Sequence, residues 1–479
     1  MTLPDHKTRI VCTIGPASNT PAMLKKMIKA GMNIARLNFS HGEFSDHKIV
    51  IENIRAASRA TGKRVAIMGD LPGPKMRIGK LDEEPFELQA GDTFRLTSEE
   101  ITGNRDRVSM SFSPLPGVVK PGDSLFLNDG IIHLEVFRVE GNDVECRVVV
   151  GGELRSRKGL NLPGIDLGVS AFTDRDRECL KFAMENGVDA VSQSFVETAA
   201  DIEAVRKAAK ELGHKPFIIA KIERSGALKH IDQILQAADG IMIARGDLGV
   251  EIPIEEMAVV QKNLMAKAVV AGKPVITATQ MLESMTDYSR PTRAEATDVA
   301  NAILDGTDCV MLSGESAMGK FPVESAAMLS KIAKATEPHR HGYRRKEFLE
   351  TYGLDKNISH VDLIALSVYY TFERSSTAAI FVPTMSGATA RNIARFRMPV
   401  WVIAVSPSES TCQKLQFSYG VHTVCEPEYP ERWKDYARRF IKEHHLKGTI
   451  ALLTEGPSTT HPEANNRIEI IDLSGPTGE

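Results

Sequence analysis

The feature that most constrains this sequence is a rhythm of short apolar runs and helical stretches, broken once and then resumed. Residues 10–14 are rich in Val and Ile and predict a strand. Residues 21–30 predict a helix that Gly31 ends. Residues 33–39 predict a second strand, 45–60 a second helix and 65–70 a third strand. Alternation of this kind builds parallel βαβ units. From Leu71 to about Asp166 it lapses into Gly, Pro, Val and charge. Short strands are expected there near 93–96, 124–127, 131–136 and 144–150, with turns at Pro121-Gly122-Asp123 and Asn128-Asp129-Gly130. The rhythm returns at Asp174, with strands expected near 190–194, 217–222, 240–244, 275–279 and 309–312. Three strands before the break and five after it make eight. The fold class expected is therefore α/β: a (β/α)₈ TIM barrel with an inserted all-β domain.

The chain has 479 residues, too many for one compact domain. A charged stretch at 334–356, with His339, Arg340, His341, Arg344, Arg345 and Lys346, reads as a linker or solvated helix. Beyond it a second α/β alternation sets strands near 379–382, 400–405, 421–424, 449–453 and 467–471. The expected division is a barrel at 1–70 and 166–340, an insertion at 71–165 and a C-terminal α/β domain at 341–479. A net charge of −3 leaves no basic footprint for nucleic acid. No apolar run approaches the ~18–20 residues that cross a bilayer, and the polar N-terminus has no signal core. The six cysteines, at 12, 146, 179, 309, 412 and 425, contain no C-x-x-C pair. They read as buried free thiols in a reducing, cytoplasmic setting.

In such a barrel the chemistry collects at the carboxyl ends of the strands. The second strand ends in Arg36, Asn38 and Ser40, which share one side by the two-residue period. The third ends at Asp70. The fifth carries Lys221 and Glu223 on one side, the sixth runs into Arg245-Gly246-Asp247, the seventh holds Thr277 and Thr279, and the eighth ends at Ser313. Mg²⁺ takes one or two carboxylates and leaves its other positions to water and substrate oxygens. Glu223 and Asp247 fit that need, and Lys221 beside them suits a transferring phosphoryl group or an enolate. Alone, Lys221 and Glu223 read equally well as a structural ion pair; Arg36, Arg245, Asp247 and Thr279 at the same rim favour a site. Gly246 leaves room for a ligand to approach the backbone, although a plain strand-to-loop turn needs it equally. Gly314 to Lys320 matches seven positions of a phosphate-binding P-loop, but Phe321 stands where the Mg²⁺-binding hydroxyl belongs, so a P-loop fold is rejected. Of the histidines only His41, next to the Arg36–Ser40 cluster, is a candidate.

Several motifs, in order along nearly the whole chain, resemble those of pyruvate kinases. They are TIGPAS from Thr13, NIARLNFSHG from Asn33, DLPGPKMR from Asp70, IAKIERSG from Ile219, MIARGDLGVE from Met242 and ITATQMLESM from Ile276. The resemblance implies a phosphotransferase that converts phosphoenolpyruvate and ADP to pyruvate and ATP, with Mg²⁺ or Mn²⁺ on Glu223 and Asp247. It implies Lys221 as the group that stabilises the transferred phosphoryl and the enolate. Arg36 and the Ala244, Arg245 and Gly246 backbone, with Asp247, then contact substrate, and Thr279 lies near the face that is protonated. Asn38, His41, Arg77 and Lys158 are the implied nucleotide contacts, Lys158 lying on an insertion that closes as a lid. The family's K⁺ site corresponds to Asn38, Ser40, Asp70 and the Leu71 carbonyl. Lys75 stands where K⁺-requiring members usually carry Glu, so activity without K⁺ is expected. The C-terminal domain resembles a regulatory domain, with a sugar-phosphate or AMP effector expected at Thr384, Ser386, Gly387 and Thr389; an ordinary helix-capping turn is the competing reading. A homotetramer is also implied. A metal-dependent pyruvate lyase or aldolase, and a non-catalytic metabolite sensor, are the alternatives. The first leaves the lid's nucleotide contacts unexplained. The second conflicts with the intact set Lys221, Glu223, Asp247 and Thr279.

Overall fold

The computed structural model describes residues 3–340, 359–456 and 465–474. Eight parallel strands close a barrel in chain order: β1 (Arg9–Thr13), β2 (Ile34–Asn38), β3 (Ala66–Leu71), β4 (Ala190–Gln193), β5 (Phe217–Ile222), β6 (Gly240–Ala244), β7 (Val275–Ala278) and β8 (Cys309–Leu312), with β8 pairing back to β1. The strands are buried on both faces, as parallel strands under helices must be. Their two-residue period splits the apolar side chains. Ile10, Cys12, Ile67, Ile218 and Ile241 point outward and join the core under the helices. Val11, Ile34, Met68, Ile219, Met242, Ile276 and Met311 point inward and fill the barrel.

One side chain enters that inner core from outside the barrel. Phe417, fully buried, stacks on Phe217 with ring centroids 5.4 Å apart. It plugs the end where the strands begin.

The helices start and stop where the sequence says. Pro21–Ala30 has Pro at its first turn, the Thr20 hydroxyl accepting from the Met23 amide at 3.3 Å, and Gly31 at φ 128° beyond its end. The inserted segment forms a six-stranded and a two-stranded sheet around its own core, which includes Phe94, Leu96, Leu125, Leu134 and Val148. Four short strands in it escape the sequence pattern: Phe86–Leu88, Arg107–Ser109, Gly152–Leu154 and Leu160–Asn161. So does a one-turn helix at Leu115–Val118. Its hairpin tip, Asn128-Asp129-Gly130, holds three successive left-handed residues, with φ 52°, 56° and 89°. Asn, Asp and Gly are the residues that tolerate this. Gly130 abuts Val250, on the helix Arg245–Glu251 that follows β6.

The C-terminal sheet contains β9 (Thr377–Pro383), β10 (Trp401–Ser406), β11 (Val421–Cys425), β12 (Ile450–Glu455) and β13 (Arg467–Asp472) in the order β11-β10-β9-β12-β13. Only β13 runs antiparallel. This domain is joined to the foot of the barrel by buried charge. Asp308, just before β8, accepts both Arg397 terminal nitrogens at 2.5 Å, the Tyr419 amide at 2.8 Å and the Val275 amide at 3.0 Å. Arg9 of β1 donates to the Ser418 carbonyl at 3.1 Å and to that of Val421.

Two expectations are corrected here. Arg340, read as part of a solvated stretch, donates to the Ile303 carbonyl at 2.9 Å and lies 4.5 Å from the Tyr419 ring. Residues 341–358, with His341, Arg344, Arg345 and Lys346, lie outside the described residues. Five of the cysteines are buried free thiols, but Cys425, on the edge strand β11, is exposed. Among the described residues no helix is long and apolar enough to cross a membrane.

Candidate active site

At the carboxyl end of the barrel the inward-facing positions change from apolar to polar within one strand period. Val11 is followed by Thr13, Ile34 by Arg36 and Asn38, Met68 by Asp70, Ile219 by Lys221 and Glu223, and Met311 by Ser313. The result is a small polar cavity of about 110 Å³ resting on an apolar floor. Arg36, Asn38, Ser40, Asp70, Lys75, Lys221, Glu223, Ala244, Asp247 and Thr279 all line it, as do Ser194 and Phe195.

Lys221 is the centre of the charge network. Its Nζ lies 2.8 Å from Glu223 Oε1, 2.7 Å from Ser194 Oγ and 3.4 Å from Asp70 Oδ2. Burial works against its charge, but Asp70 and Glu223 hold its pKa above the ordinary value. Asp70 also accepts from Arg36 Nε at 3.1 Å and, at its other oxygen, from Ser192 Oγ at 2.6 Å. Burial alone would raise the Asp70 pKa; Arg36, Lys221 and Ser192 override it and hold the group at about 2. Arg36 is fixed from its far side by Thr13 Oγ1 at 2.9 Å. Glu223 Oε2 takes the Phe195 amide at 2.7 Å, which Phe195 presents by adopting φ 57°.

Asp247 is different. It makes no hydrogen bond or ion pair among the described residues, and it sits near Glu223. Burial first, and then Glu223, push its pKa up to about 6, against the pull of Lys221 and Lys75. A carboxylate so placed lacks a cation. Glu223 and Asp247 are hard oxygen donors at one cavity, which suits Mg²⁺. Among the described residues no group of three or more His, Cys, Asp or Glu could hold a metal. An ion here would therefore draw its remaining ligands from substrate and water.

Thr279 reaches the cavity by a break in the strand rule. Alternation along β7 sends Thr277 outward, where its hydroxyl bonds Thr307 at 2.9 Å. Thr279 would follow it, but Thr279 and Gln280 adopt φ 66° and 52° and turn the hydroxyl inward. For a β-branched residue this is a strained conformation, of the kind that concentrates at functional sites. Its Oγ1 accepts the Gly246 amide at 2.8 Å. A Cβ at Gly246 would stand 3.6 Å from that oxygen, an ordinary contact, so a side chain here would face Thr279. Arg245 does not face the cavity. Its guanidinium lies within 2.8 Å of both Asp298 oxygens and donates to the Thr279 carbonyl at 2.7 Å.

The family model of the pyruvate kinase barrel domain matches residues 5–326, and that of the pyruvate kinase alpha/beta domain matches residues 362–471. The chain belongs to the pyruvate kinase family. A pyruvate kinase of Thermococcus litoralis is 49% identical over 431 residues, covering 89% of this chain and 90% of that one. One from Geobacillus stearothermophilus is 42% identical, covering 88% and 72%. The crystal structure of a pyruvate kinase from Cryptosporidium parvum superposes with a TM-score of 0.90 at 36% identity, covering 98% of this chain and 96% of that one.

His41, Arg77, Lys158 and the Thr384–Thr389 turn do not line this pyruvate kinase cavity. His41 is exposed; partial desolvation first, and then Lys75, Arg77 and Arg36, lower its pKa, which marks a basic flank. Arg77 and Lys158 meet at the stem of the inserted domain, where Arg77 bridges to Gly159 and the Ile78 amide donates to the Lys158 carbonyl at 2.9 Å. In the C-terminal domain the Thr384 hydroxyl accepts the Gly387 amide at 2.9 Å, and Gly387 has φ 78°. This resembles the capping turn weighed above, ahead of the short helix Ala388–Ala394, which contains Thr389. Ser194, Ser192, Thr13 and Asp298 were not singled out. Ser194 directly follows β4 in Gln193-Ser194-Phe195, a strand end without charge; the same two-residue period that exposed Lys221 also points to it.

Proposed function

We propose that Lys221, Glu223, Asp247, Arg36 and Thr279 carry the reaction of this family in this chain. The reaction is transfer of the phosphoryl group of phosphoenolpyruvate to ADP, giving pyruvate and ATP in glycolysis. The observation that carries the assignment is the pairing of a satisfied cation, Lys221, with an unsatisfied carboxylate, Asp247, across one small cavity. Mg²⁺, which the family requires in general, supplies charge neutralisation at the phosphoryl oxygens when held by Glu223 and Asp247. Lys221 and Arg36 bind the phosphoryl group and stabilise the charge that moves onto the enolate oxygen. The Ala244–Gly246 backbone and Thr279 orient the substrate carboxylate. The Thr279 hydroxyl also holds the water that protonates the enol carbon. Asn38, His41, Arg77 and Lys158 take the nucleotide phosphates, and lid closure keeps water from competing with ADP.

K⁺ is not required in this reading. Asp70 already has partners at both oxygens, the Asn38 oxygen accepts the Ser40 amide at 3.1 Å, and Lys75 brings an ammonium to the cavity. Regulation by a phosphorylated effector at Thr384, Ser386, Gly387 and Thr389, a homotetramer and a cytoplasmic location complete the proposal; the glycolytic relatives support the last.

The deciding experiment measures pyruvate release from phosphoenolpyruvate and Mg²⁺ in K⁺-free buffer, with and without ADP. ADP-dependent release is expected. Release without ADP would overturn the kinase reading. A large activation by added K⁺ would overturn the role given to Lys75.

A further inference from the structure

The barrel closes where β8 pairs with β1, and at the mouth of that seam one hydroxyl joins three strands. Thr13, the last residue of β1, is buried. Its Oγ1 donates to the Leu312 carbonyl at the end of β8 at 2.9 Å and accepts from Arg36 Nη1 of β2, also at 2.9 Å. A hydroxyl has one proton. With that proton committed to Leu312, the oxygen can only accept toward Arg36. The rest of the residue is held as well. Its carbonyl accepts the Ser316 hydroxyl at 2.9 Å, and the next amide, that of Ile14, donates to the Arg36 carbonyl at 2.9 Å. Thr13 does not line the catalytic cavity, whereas Arg36 does.

The donors of Arg36 show what this contact does. A guanidinium carries five N–H groups in one plane. Nε and one Nη2–H go to Asp70 Oδ2, and one Nη1–H goes to Thr13. Among the described residues no acceptor takes the other N–H of Nη1 or of Nη2. Asp70 grips one edge and leaves the plane free to rock about it; Thr13 holds the second side. Thr13 is also neutral. A carboxylate in its place would orient Arg36 and cancel its charge, and Asp70 already divides its own charge between Arg36 and Lys221. The hydroxyl sets direction without cancelling charge.

We propose that Thr13 is a positioning residue for phosphoryl transfer, which aims the two uncommitted N–H groups of Arg36 at the phosphoryl oxygens of the substrate. The inference rests on the role given above to Arg36. It also assigns a selectivity. Phosphoenolpyruvate and pyruvate share a carboxylate, and only the first carries the phosphoryl group that Arg36 addresses. Thr13 therefore favours the substrate over the product.

The test is calorimetric titration of the full chain with phosphoenolpyruvate and, separately, with pyruvate, in the presence of Mg²⁺ and without ADP so that nothing turns over. Thr13→Val removes the hydroxyl, and Thr13→Ser keeps it. In Thr13→Val the Kd of phosphoenolpyruvate should rise at least about tenfold, the usual order for a lost hydrogen bond to a charged group, while that of pyruvate stays within about twofold. Thr13→Ser should recover most of the difference. Misfolding lowers the number of sites titrated and leaves both Kd values where they were. Arg36→Met should weaken phosphoenolpyruvate on its own, and adding Thr13→Val to it should weaken binding little further, because Thr13 acts through Arg36. An unchanged phosphoenolpyruvate Kd in Thr13→Val, an equal loss of both ligands, no recovery in Thr13→Ser, or additive losses in the double variant would each defeat the inference. Wild-type phosphoenolpyruvate affinity in Arg36→Met would instead overturn the role of Arg36 itself, so the two failures are distinguishable.

Discussion

At the foot of the barrel the Asp308 carboxylate receives four hydrogen bonds, two of them from Arg397. At the mouth, Asp247 receives none from the described residues. Asp308 is buried and Asp247 half-buried, and of the two only Asp308 is bonded to a cation. The foot completes its charges within the protein, and the mouth leaves a deficit that substrate and cation must fill. A buried, fully paired group holds structure together, whereas an incompletely paired one holds binding energy in reserve for the ligand. The aromatic and backbone details follow the same division. The foot is closed by Phe417 stacked on Phe217, and the mouth carries the left-handed residues Thr279, Gln280 and Phe195.

The contrast can be broken at either end. Arg397→Ala leaves the Asp308 charge buried with only amide partners, and about 3–5 kcal/mol of stability should be lost, the usual cost of stripping one partner from a buried pair. Denaturant melts would show it, while kcat of the protein that remains folded stays near wild type; a kcat loss as large as the stability loss would erase the distinction between the ends. Lys221→Ala should do the reverse, lowering kcat by at least about 10²-fold with a small change in melting temperature. A loss below tenfold would count against its role.

Asp247→Asn sharpens the contrast through pH. The Asp247 pKa is raised in the folded chain to about 6, above the ordinary carboxylate value of about 3.9. The folded state thus holds this proton more tightly than the unfolded state. Asp247 therefore costs stability increasingly as pH rises from about 4 to about 6, and the cost stays constant above that. Without divalent cations, Asp247→Asn should stabilise the protein by the order of 1–3 kcal/mol at pH 7.5 and by less at pH 5. Thermal melts at both pH values check the sign, and a variant less stable than wild type at pH 7.5 would refute it. Mg²⁺ affinity of the wild type, followed by titration, should weaken below pH 6 as the proton competes. The smallest effect is expected from Lys75→Glu, which should introduce an activation by K⁺ of about tenfold or less, read from assays with and without KCl.

How much of this was legible in the sequence differs between the same two ends. The mouth is built by a local rule. A strand that is apolar and then polar at every second residue betrays Lys221, Glu223, Arg36 and Asn38 without any knowledge of the fold. Thr279 is the exception, because alternation points it the wrong way and only the left-handed turn after β7 corrects it. The rim motif does not tell which part of Arg245 is free for a ligand; its guanidinium is committed to Asp298, 53 residues away. The foot is built by pairs that are distant in sequence. Asp308 and Arg397 are 89 residues apart, and Arg340 reads as solvated because its ring partner, Tyr419, belongs to another domain. No local period encodes such pairs.

Phe417 has a consequence for how the chain is made. The barrel's first strand carries Arg9, whose partner Ser418 lies 409 residues downstream, and the plug that fills the barrel floor sits next to that partner. At a synthesis rate of about 5–20 residues per second, the first strand waits roughly 20–80 s before its floor exists. During that interval the nascent barrel is a cup with an open apolar base at Phe217. Ribosome-bound chains halted before residue 417 should therefore be the ones that chaperones hold, and chains halted well beyond it should be released.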